Sequence, residues 1–281
     1  MPELPEVEIT ARRIGAAAAG AGVESTLAPG INALKTYDPP LSALDGAGVS
    51  AVRRRGKHLI VDFDAGLSLL LHLMSAGRLQ LFDRRAGPRD RTSRVLVRLE
   101  DGRELRLREF GTRQRAWVKL LPSNELEDDE ALTALGPEAW PDPPPFEELL
   151  TDPRPLHSLL RDQHVVTGIG RSWVDEILHS AQLSPFKRAD DLAPLEARRL
   201  RDATVARLGA AIEHYERVVE LPIPDKLPMP LTVHRQAGEP CPRCGAGIEA
   251  VHYEDYVMCY CPLCQTEGRV LKDRRLSRLL K

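Results

Sequence analysis

Three zones of hydrophobic patterning run along the chain. Between residues 3 and 20, Val7, Ile9, Ile14 and a run of alanines recur with a helical period, which predicts one amphipathic helix. From about Val49 to Leu121 the pattern changes to short alternating or apolar runs separated by turns. His58–Phe63, Leu67–Leu73, Arg94–Leu99 and Glu104–Leu107 read as strands, and Asp64-Ala65-Gly66 and Asp101-Gly102 as hairpin turns. This half is predicted to be a β-sandwich or flattened barrel. The helical period returns at Pro155–Asp162, Trp173–Ala181 and Pro194–Leu208, the last extending to Glu220. Between the first two lies the Gly-rich turn Thr167-Gly168-Ile169-Gly170-Arg171-Ser172, a type that brings backbone close to phosphate. Prolines at 222, 224, 228 and 230 forbid a continuous helix and predict an extended linker. The remainder alternates and carries the cysteines, and no internal repeat is visible.

Composition narrows the class. The 281 residues, 42% hydrophobic and 28% charged, suit two or three globular domains. No run approaches the ~18 apolar residues of a membrane span, and Met1-Pro2-Glu3 does not open a secretory signal, so a cytoplasmic protein is expected. The net charge of −2 hides an uneven distribution. Residues 122–152 hold ten acids and no Lys or Arg, which leaves +8, the difference between −2 and −10, on the rest. Basic residues gather at Arg53 to Lys57, Arg84 to Arg94, Arg103 to Arg115 and Arg269 to Lys281. Such clusters suit phosphate contacts, although solvated surface arginines account equally well for charge alone. The acidic, Pro-rich stretch from Pro122 to Pro145 reads as a linker or solvent-facing connection.

Five cysteines are an odd number for a disulfide framework, and four fall in two C-x-x-C pairs. Cys241-Pro-Arg-Cys244, sixteen residues, then Cys261-Pro-Leu-Cys264 is the spacing of a tetrahedral four-thiolate site. One structural zinc ion is the expected occupant, since four soft ligands leave no open position for chemistry. Metal binding would then supply much of the folding energy of so small a segment. Cys259 is left over, as a half-buried strand thiol or an alternative ligand.

The opening Met1-Pro2-Glu3-Leu4-Pro5-Glu6-Val7-Glu8 carries candidate chemistry. Small residues after the initiator permit loss of Met1, exposing a secondary amine at Pro2. Such an amine attacks the sugar C1′ of a damaged nucleotide, displaces the base and leaves an iminium; that electron sink makes elimination of the flanking phosphates feasible. Glu3 beside it can move protons. The same residues also fit a simpler reading, a proline and acids placed to start a helix.

The opening heptapeptide Pro2–Glu8, Arg54-Arg55-Gly56-Lys57, Asp162–Gly170 (DQHVVTGIG), Asp175-Glu176-Ile177-Leu178 and Gly238-Glu239-Pro240-Cys241 follow one another in order. Together they closely resemble the formamidopyrimidine-DNA glycosylase and endonuclease VIII family over nearly the whole chain, and Leu4 favours the formamidopyrimidine branch. The resemblance implies an α+β multidomain fold: a catalytic β-sandwich domain over 1–121 and an acidic linker over 122–147. A helix–two-turns–helix domain over 148–222 and a zinc β-hairpin over 223–281 follow, with DNA held in the cleft between domains. The implied activity is a bifunctional glycosylase and abasic-site lyase of base excision repair, acting as a monomer on damaged duplex DNA at the nucleoid. An oxidised-pyrimidine glycosylase and a non-cutting damaged-DNA-binding protein are the alternatives.

By position, Pro2 is the implied nucleophile, Glu3 the general acid/base, and Glu6 a group that positions the opened sugar. Lys57 is implied to contact phosphate and the lesion sugar, or else is one more surface lysine. His72 matches a phosphate contact, or is a core histidine in a Leu-rich strand. The family fills the gap left by base flipping with a Met, an Arg and a Phe. Arg108 and Phe110 match the last two, with core packing the alternative for Phe110. Four departures stand out. Ser75 takes the intercalating Met position unless a local shift brings Met74 forward. Arg171 replaces the Asn that follows the Gly-Ile-Gly turn. Tyr256 replaces the phosphate-binding Arg of the hairpin tip, which suggests that Arg171 supplies the lost charge. The loop that caps an oxidised purine is absent, and a shorter Pro-rich passage, Val218–Lys226, stands in its region.

Overall fold

A computed structural model describes residues 2–87, 90–110 and 113–271. Met1, Gly111 and residues 272–281 of the C-terminal basic run, all used in the sequence reading, lie outside the described residues. The chain divides into two compact units, Met1–Ala134 with Ile212–Pro228, and Leu135–Ala211 with Met229–Lys281. Among the described residues no helix is long and apolar enough to cross a membrane.

The first unit begins with helix α1 (Leu4–Ala18), whose face of Leu4, Val7, Ile9, Ala11 and Ile14 is buried. Eight strands follow: β1 (Val23–Leu27), β2 (Val49–Arg55), β3 (His58–Phe63), β4 (Leu67–His72), β5 (Gly77–Phe82), β6 (Ser93–Leu99), β7 (Glu104–Glu109) and β8 (Trp117–Pro122). They form two antiparallel four-stranded sheets, ordered β1-β6-β7-β5 and β2-β3-β4-β8. One apolar core takes side chains from both sheets, among them Leu59, Val61, Leu69, Leu71, Val95, Val97, Leu105 and Leu107, with Val7 and Ile14 of α1. This is the predicted β-sandwich. The strands legible in the sequence are β3, β4, β6 and β7, the central pair of each sheet. All four edge strands were missed, because an edge strand is less continuously apolar: β2 ends in three arginines and β8 is buried only at alternate positions.

Residues 122–134 are more built than an open connection. Asp129 caps a helical turn, α2 (Glu130–Thr133), by accepting from Ala131 N at 2.9 Å, and it binds Lys119 Nζ at 2.9 Å; Leu126 and Leu132 are buried. The return segment 212–228 also packs here. Tyr215, Val219 and Ile223 are almost fully buried, and Leu221 rests on the sandwich core.

The second unit holds short helices α3 (Phe146–Leu149) and α4 (Leu156–Leu159), then α5 (Arg171–Ser180) and most of the long α6 (Pro194–Val218), which contributes residues 194–211 here. The Gly-rich turn before α5 is closed by Gln163. Its Oε1 accepts from Gly168 N at 3.0 Å, and its Nε2 donates to the carbonyls of Arg161 and Ile169 at 2.8 and 2.9 Å. Gly168 has φ +105°, which an L side chain rarely adopts. A hairpin of β9 (Glu249–His252) and β10 (Val257–Tyr260) follows, then α7 (Pro262–Thr266).

Adjacent acids on α5 tie this hairpin segment down. Asp175 Oδ2 accepts from Cys259 N at 3.0 Å and contacts His234 Nδ1 at 2.7 Å. Glu176 Oε1 accepts three consecutive backbone N–H groups, Thr232, Val233 and His234, at 2.8–3.0 Å, while Oε2 takes the Thr232 hydroxyl and Arg207. Five donors on one buried carboxylate over-satisfy its charge, and truncation would leave them without an acceptor. Glu176→Ala is expected to cost on the order of 3 kcal/mol, read as a lower urea midpoint of the unit's unfolding; an unchanged midpoint contradicts this bookkeeping.

Candidate active site

Pro2, Glu3 and Glu6 gather with Tyr215 around the start of α1. Glu3, 1% exposed, is the residue preceding the helix, and Glu6 sits at its third position. Glu6 Oε2 accepts the Glu3 backbone N–H at 2.8 Å, one arm of a capping box. Its Oε1 accepts the hydroxyl of Tyr215 at 2.7 Å. Burial, with the charges of Glu6 and Glu3 nearby, pushes the Tyr215 phenol far above its usual range, so it is a permanent donor. Pro2 is buried at the head of this network. Further along α1, Glu8 bridges Arg12 and Arg54, each at 2.6 Å, and Arg13 Nε donates to the Val219 carbonyl at 2.9 Å. Thus the helix that carries Pro2 and Glu3 is pinned by Glu6 to the return segment and by Glu8 to β2.

Lys57 occupies the two-residue turn between β2 and β3, where Gly56 takes φ +57°, and it is 6% exposed. Next to it in sequence is His58, which pairs across the sheet with His72; His72 in turn pairs with Trp117. The rings form a cluster: His58 and His72 edge to face at 4.7 Å, His72 stacked on Trp117 at 6.0 Å. Burial lowers His72 to about 3, with the charges of His58 and Lys57 adding to the effect, and burial lowers His58 to about 4. Both imidazoles are therefore neutral at pH 7. His72 Nδ1 accepts the Met74 backbone N–H at 3.0 Å, so the ring proton resides on Nε2. His72 can offer phosphate one neutral donor, while the formal charge belongs to Lys57.

At the opposite end of β4 from the Asp64–Gly66 turn, residues 74–76 form a tight turn into β5. Met74 has φ +50° and is partly buried, whereas Ser75 is exposed. Only glycine fits at 77, where a Cβ would lie 2.4 Å from the Leu73 carbonyl oxygen. The Phe110 N–H points at the Ala76 carbonyl at 3.4 Å, and the Arg108 guanidinium lies 4.7 Å from the Phe110 ring centre. The structure thus brings the 74–76 turn, Arg108 and Phe110 to one end of the β5–β7 pair. Arg108 is tied down there by Thr92, Gln80 and Asp225.

Tyr215, Arg13, Arg78, Gln80 and Asp225 were not singled out from the sequence. Tyr215 and Glu6 are 209 residues apart and Gln80 and Asp225 are 145 apart, so no local spacing announces them. A polar Gln80 inside the alternating strand Gly77–Phe82, 2% exposed, was the one available signal.

In the second unit the four cysteines converge. Their sulfurs lie within 4.8 Å of one another, so Cys241, Cys244, Cys261 and Cys264 could together hold one metal ion. Cys241 and Cys264 are 3.9 Å apart and Cys244 and Cys261 3.4 Å. Backbone N–H groups of Arg243 and Cys264 point at the sulfurs of Cys241 and Cys261 at 3.4 Å, an arrangement that favours thiolate. Gly245, at φ +77°, closes the first knuckle. Cys259 stands outside the cluster: it is buried, more completely than the half-buried thiol expected, and its sulfur accepts Arg235 N at 3.3 Å. His179 of α5 places Nε2 3.1 Å from Cys241 Sγ.

Tyr256, at the tip of the β9–β10 hairpin, is stacked with Tyr253 at 4.3 Å and with His157 at 5.8 Å. The guanidinium groups of Arg161 and Arg171 lie 4.4 and 5.1 Å from its ring centre. Arg171, the first residue of α5, donates to the Asp255 carbonyl at 2.7 Å and pairs with the Asp255 carboxylate.

A sandwich headed by a buried acidic helix start, and a helical unit ending in a four-cysteine hairpin, define the architecture of the DNA-lesion-processing proteins that the sequence resembles. Comparison with known proteins agrees. The model of the formamidopyrimidine-DNA glycosylase N-terminal domain matches residues 1–114, and that of the formamidopyrimidine-DNA glycosylase H2TH domain matches residues 137–221. The formamidopyrimidine-DNA glycosylase of Latilactobacillus sakei is 31% identical over 94% of this chain and 98% of its own. That of Enterococcus faecalis is 31% identical over 99% of this chain and 100% of its own. Among solved structures, Lactococcus lactis Fpg in complex with DNA containing N7-benzyl-Fapy-dG superposes with a TM-score of 0.84 at 25% identity, covering 94% of this chain and 100% of that one. The chain belongs to the formamidopyrimidine-DNA glycosylase family.

Proposed function

We propose that the protein is a DNA glycosylase and abasic-site lyase of base excision repair, removing oxidised or ring-opened bases through the amine of Pro2. The observation that carries this reading is the Glu3–Glu6–Tyr215 network, which spends a buried carboxylate and a buried phenol on holding the extreme N-terminus in one place. Loss of Met1 frees the Pro2 nitrogen. Its lone pair attacks C1′, the C1′–base bond breaks, and the base leaves with its electron pair and a proton. The nitrogen then loses its proton and its lone pair expels O4′, which takes up a proton, so the opened sugar remains on Pro2 as an iminium, which acidifies C2′ and drives elimination of the 3′ and then the 5′ phosphate. Glu3 is placed to move those protons, and Lys57 with the neutral His72 Nε2–H to hold a phosphate at the lesion.

Arg108 and Phe110 are assigned to the gap left by the flipped nucleotide, Phe110 as wedge and Arg108 toward the unpaired base, with the 74–76 turn beside them. The four cysteines are assigned one zinc ion, a closed structural site that stiffens the hairpin. Arg171 is assigned the phosphate contact that Tyr256 cannot make: its guanidinium lies at the hairpin tip, where it would exchange the Asp255 carboxylate for the phosphate. The enzyme so described acts as a monomer on chromosomal DNA.

Two measurements test this. Borohydride is expected to trap the protein covalently on an abasic-site oligonucleotide, and a variant extended by one residue before Pro2 to trap at least about 100-fold more slowly. Equal trapping by the extended variant, or none by protein shown by mass spectrometry to begin at Pro2, would overturn the mechanism. Arg171→Ala is expected to weaken binding to an abasic-site duplex about tenfold and to lower the slope of log affinity against log salt by about one. An unchanged affinity and slope would remove Arg171 from the phosphate contacts.

A further inference from the structure

The Pro-rich passage Val218–Lys226 is docked on the sandwich by Gln80 and Arg78, and it also touches the group that is assigned to the unpaired base. Ile223 is 1% exposed, and Gln80, itself buried, donates through Nε2 to the Ile223 carbonyl and to Asp225 Oδ1, the latter at 3.0 Å. Arg78 Nε donates to the Asp225 carbonyl at 2.7 Å. The Asp225 backbone is thereby fixed, and its carboxylate oxygen lies 3.2 Å from Arg108 Nη1. That same nitrogen donates to Gln80 Oε1 at 3.0 Å, while Arg108 Nε donates to Thr92 Oγ1 at 3.0 Å.

A guanidinium reads a base edge with two adjacent N–H donors acting as a fork, and it has two such edges. With Nε given to Thr92 and Nη1 to Gln80 and Asp225, each edge has one nitrogen committed within the protein. Arg108 must surrender part of this set before it can address a base with a full fork.

We propose that Asp225 is a positioning residue that sets opposite-base specificity: it withholds Arg108 from the duplex and so loosens discrimination of the base opposite the lesion. The proposal rests on the assignment of Arg108 to the unpaired base made above. Releasing Arg108 carries a fixed cost whatever base it meets. Where the contact with a base returns less than that cost, Arg108 stays on Asp225 and the base goes unread. Where it returns more, only the excess appears as affinity. The spread between bases is therefore smaller than a free guanidinium would give as soon as the weakest contact returns less than that cost, since a cost exceeded by every base cancels from the ratios. The ion pair is only partly screened, since Arg108 keeps 19% of its side-chain surface while Asp225 keeps 55%.

The test measures Kd by fluorescence anisotropy on four duplexes that carry a tetrahydrofuran abasic analogue opposite C, G, A or T. Wild type is compared with Asp225→Asn, Arg108→Ala and the double variant. Asparagine keeps an oxygen for Gln80 and the backbone carbonyl for Arg78, and equal thermal midpoints with wild type check that the passage stays docked. The expected wild-type spread across the four bases is within about threefold, widening to about tenfold or more in Asp225→Asn, with no widening in the double variant. The proposal is overturned if Asp225→Asn leaves the spread unchanged or narrows it, or if the widening survives loss of Arg108. If Arg108→Ala alone weakens binding in those cases, the Arg108 assignment stands and only the role of Asp225 falls. If in those same cases Arg108→Ala also binds all four duplexes like wild type, both fall together.

Discussion

One buried hydrogen bond organises the first unit of this protein: the Tyr215 hydroxyl on Glu6 Oε1 at 2.7 Å. A carboxylate taken out of water needs its lone pairs satisfied, and Glu6 is 3% exposed. Tyr215 satisfies one oxygen and the Glu3 backbone N–H the other, so the same charge that is costly to bury sets the position of Glu3. The bond also draws the end of α6 onto α1, after which Arg13 takes the Val219 carbonyl and the Pro-rich passage runs on to Asp225. The N-terminal residues proposed to carry the nucleophile and the group assigned to the unpaired base are thus parts of one polar framework laid over the sandwich. Arg78 belongs to it too: half-buried, its guanidinium is held below its usual range by burial, which the charges of Asp225 and Glu6 offset only in part.

The second unit solves a different problem with similar means. Its hairpin is too small to bury much apolar surface, and Val233, Ile248 and the cysteines make up a modest cluster. Asp175 and Glu176 compensate by gathering backbone donors from residues 232–234 and from Cys259, while four sulfurs converge below. At the tip, the stack of Tyr253, Tyr256 and His157 with two guanidinium groups does what a charged side chain at position 256 would not: it packs the tip and holds Arg171 beside it.

What the sequence reveals and conceals follows the range of each interaction. The central strands β3, β4, β6 and β7 are visible because both faces of the sandwich leave an apolar imprint within six residues. The edge strands carry half of that imprint and disappear into Arg-rich or mixed segments. The cysteine cluster is legible because each knuckle is local and the two share one spacing. Pro2, Glu3 and Glu6 are legible through motif resemblance, and their purpose at this site becomes physical only when Tyr215 arrives from 209 residues away. Asp225 is the extreme case. In the sequence it is one acid in a Pro-rich passage, and only the fold sets it against Arg108.

Every role proposed for Pro2 depends on Tyr215 holding the N-terminus in place through Glu6. Tyr215→Phe removes one oxygen atom and takes the Tyr215 donor from a buried carboxylate, a loss worth about 1–3 kcal/mol. The direct measurement is the single-turnover rate of borohydride trapping on an abasic-site duplex at saturating protein. The account predicts a fall of about tenfold or more with duplex affinity unchanged. A trapping rate equal to wild type would contradict it.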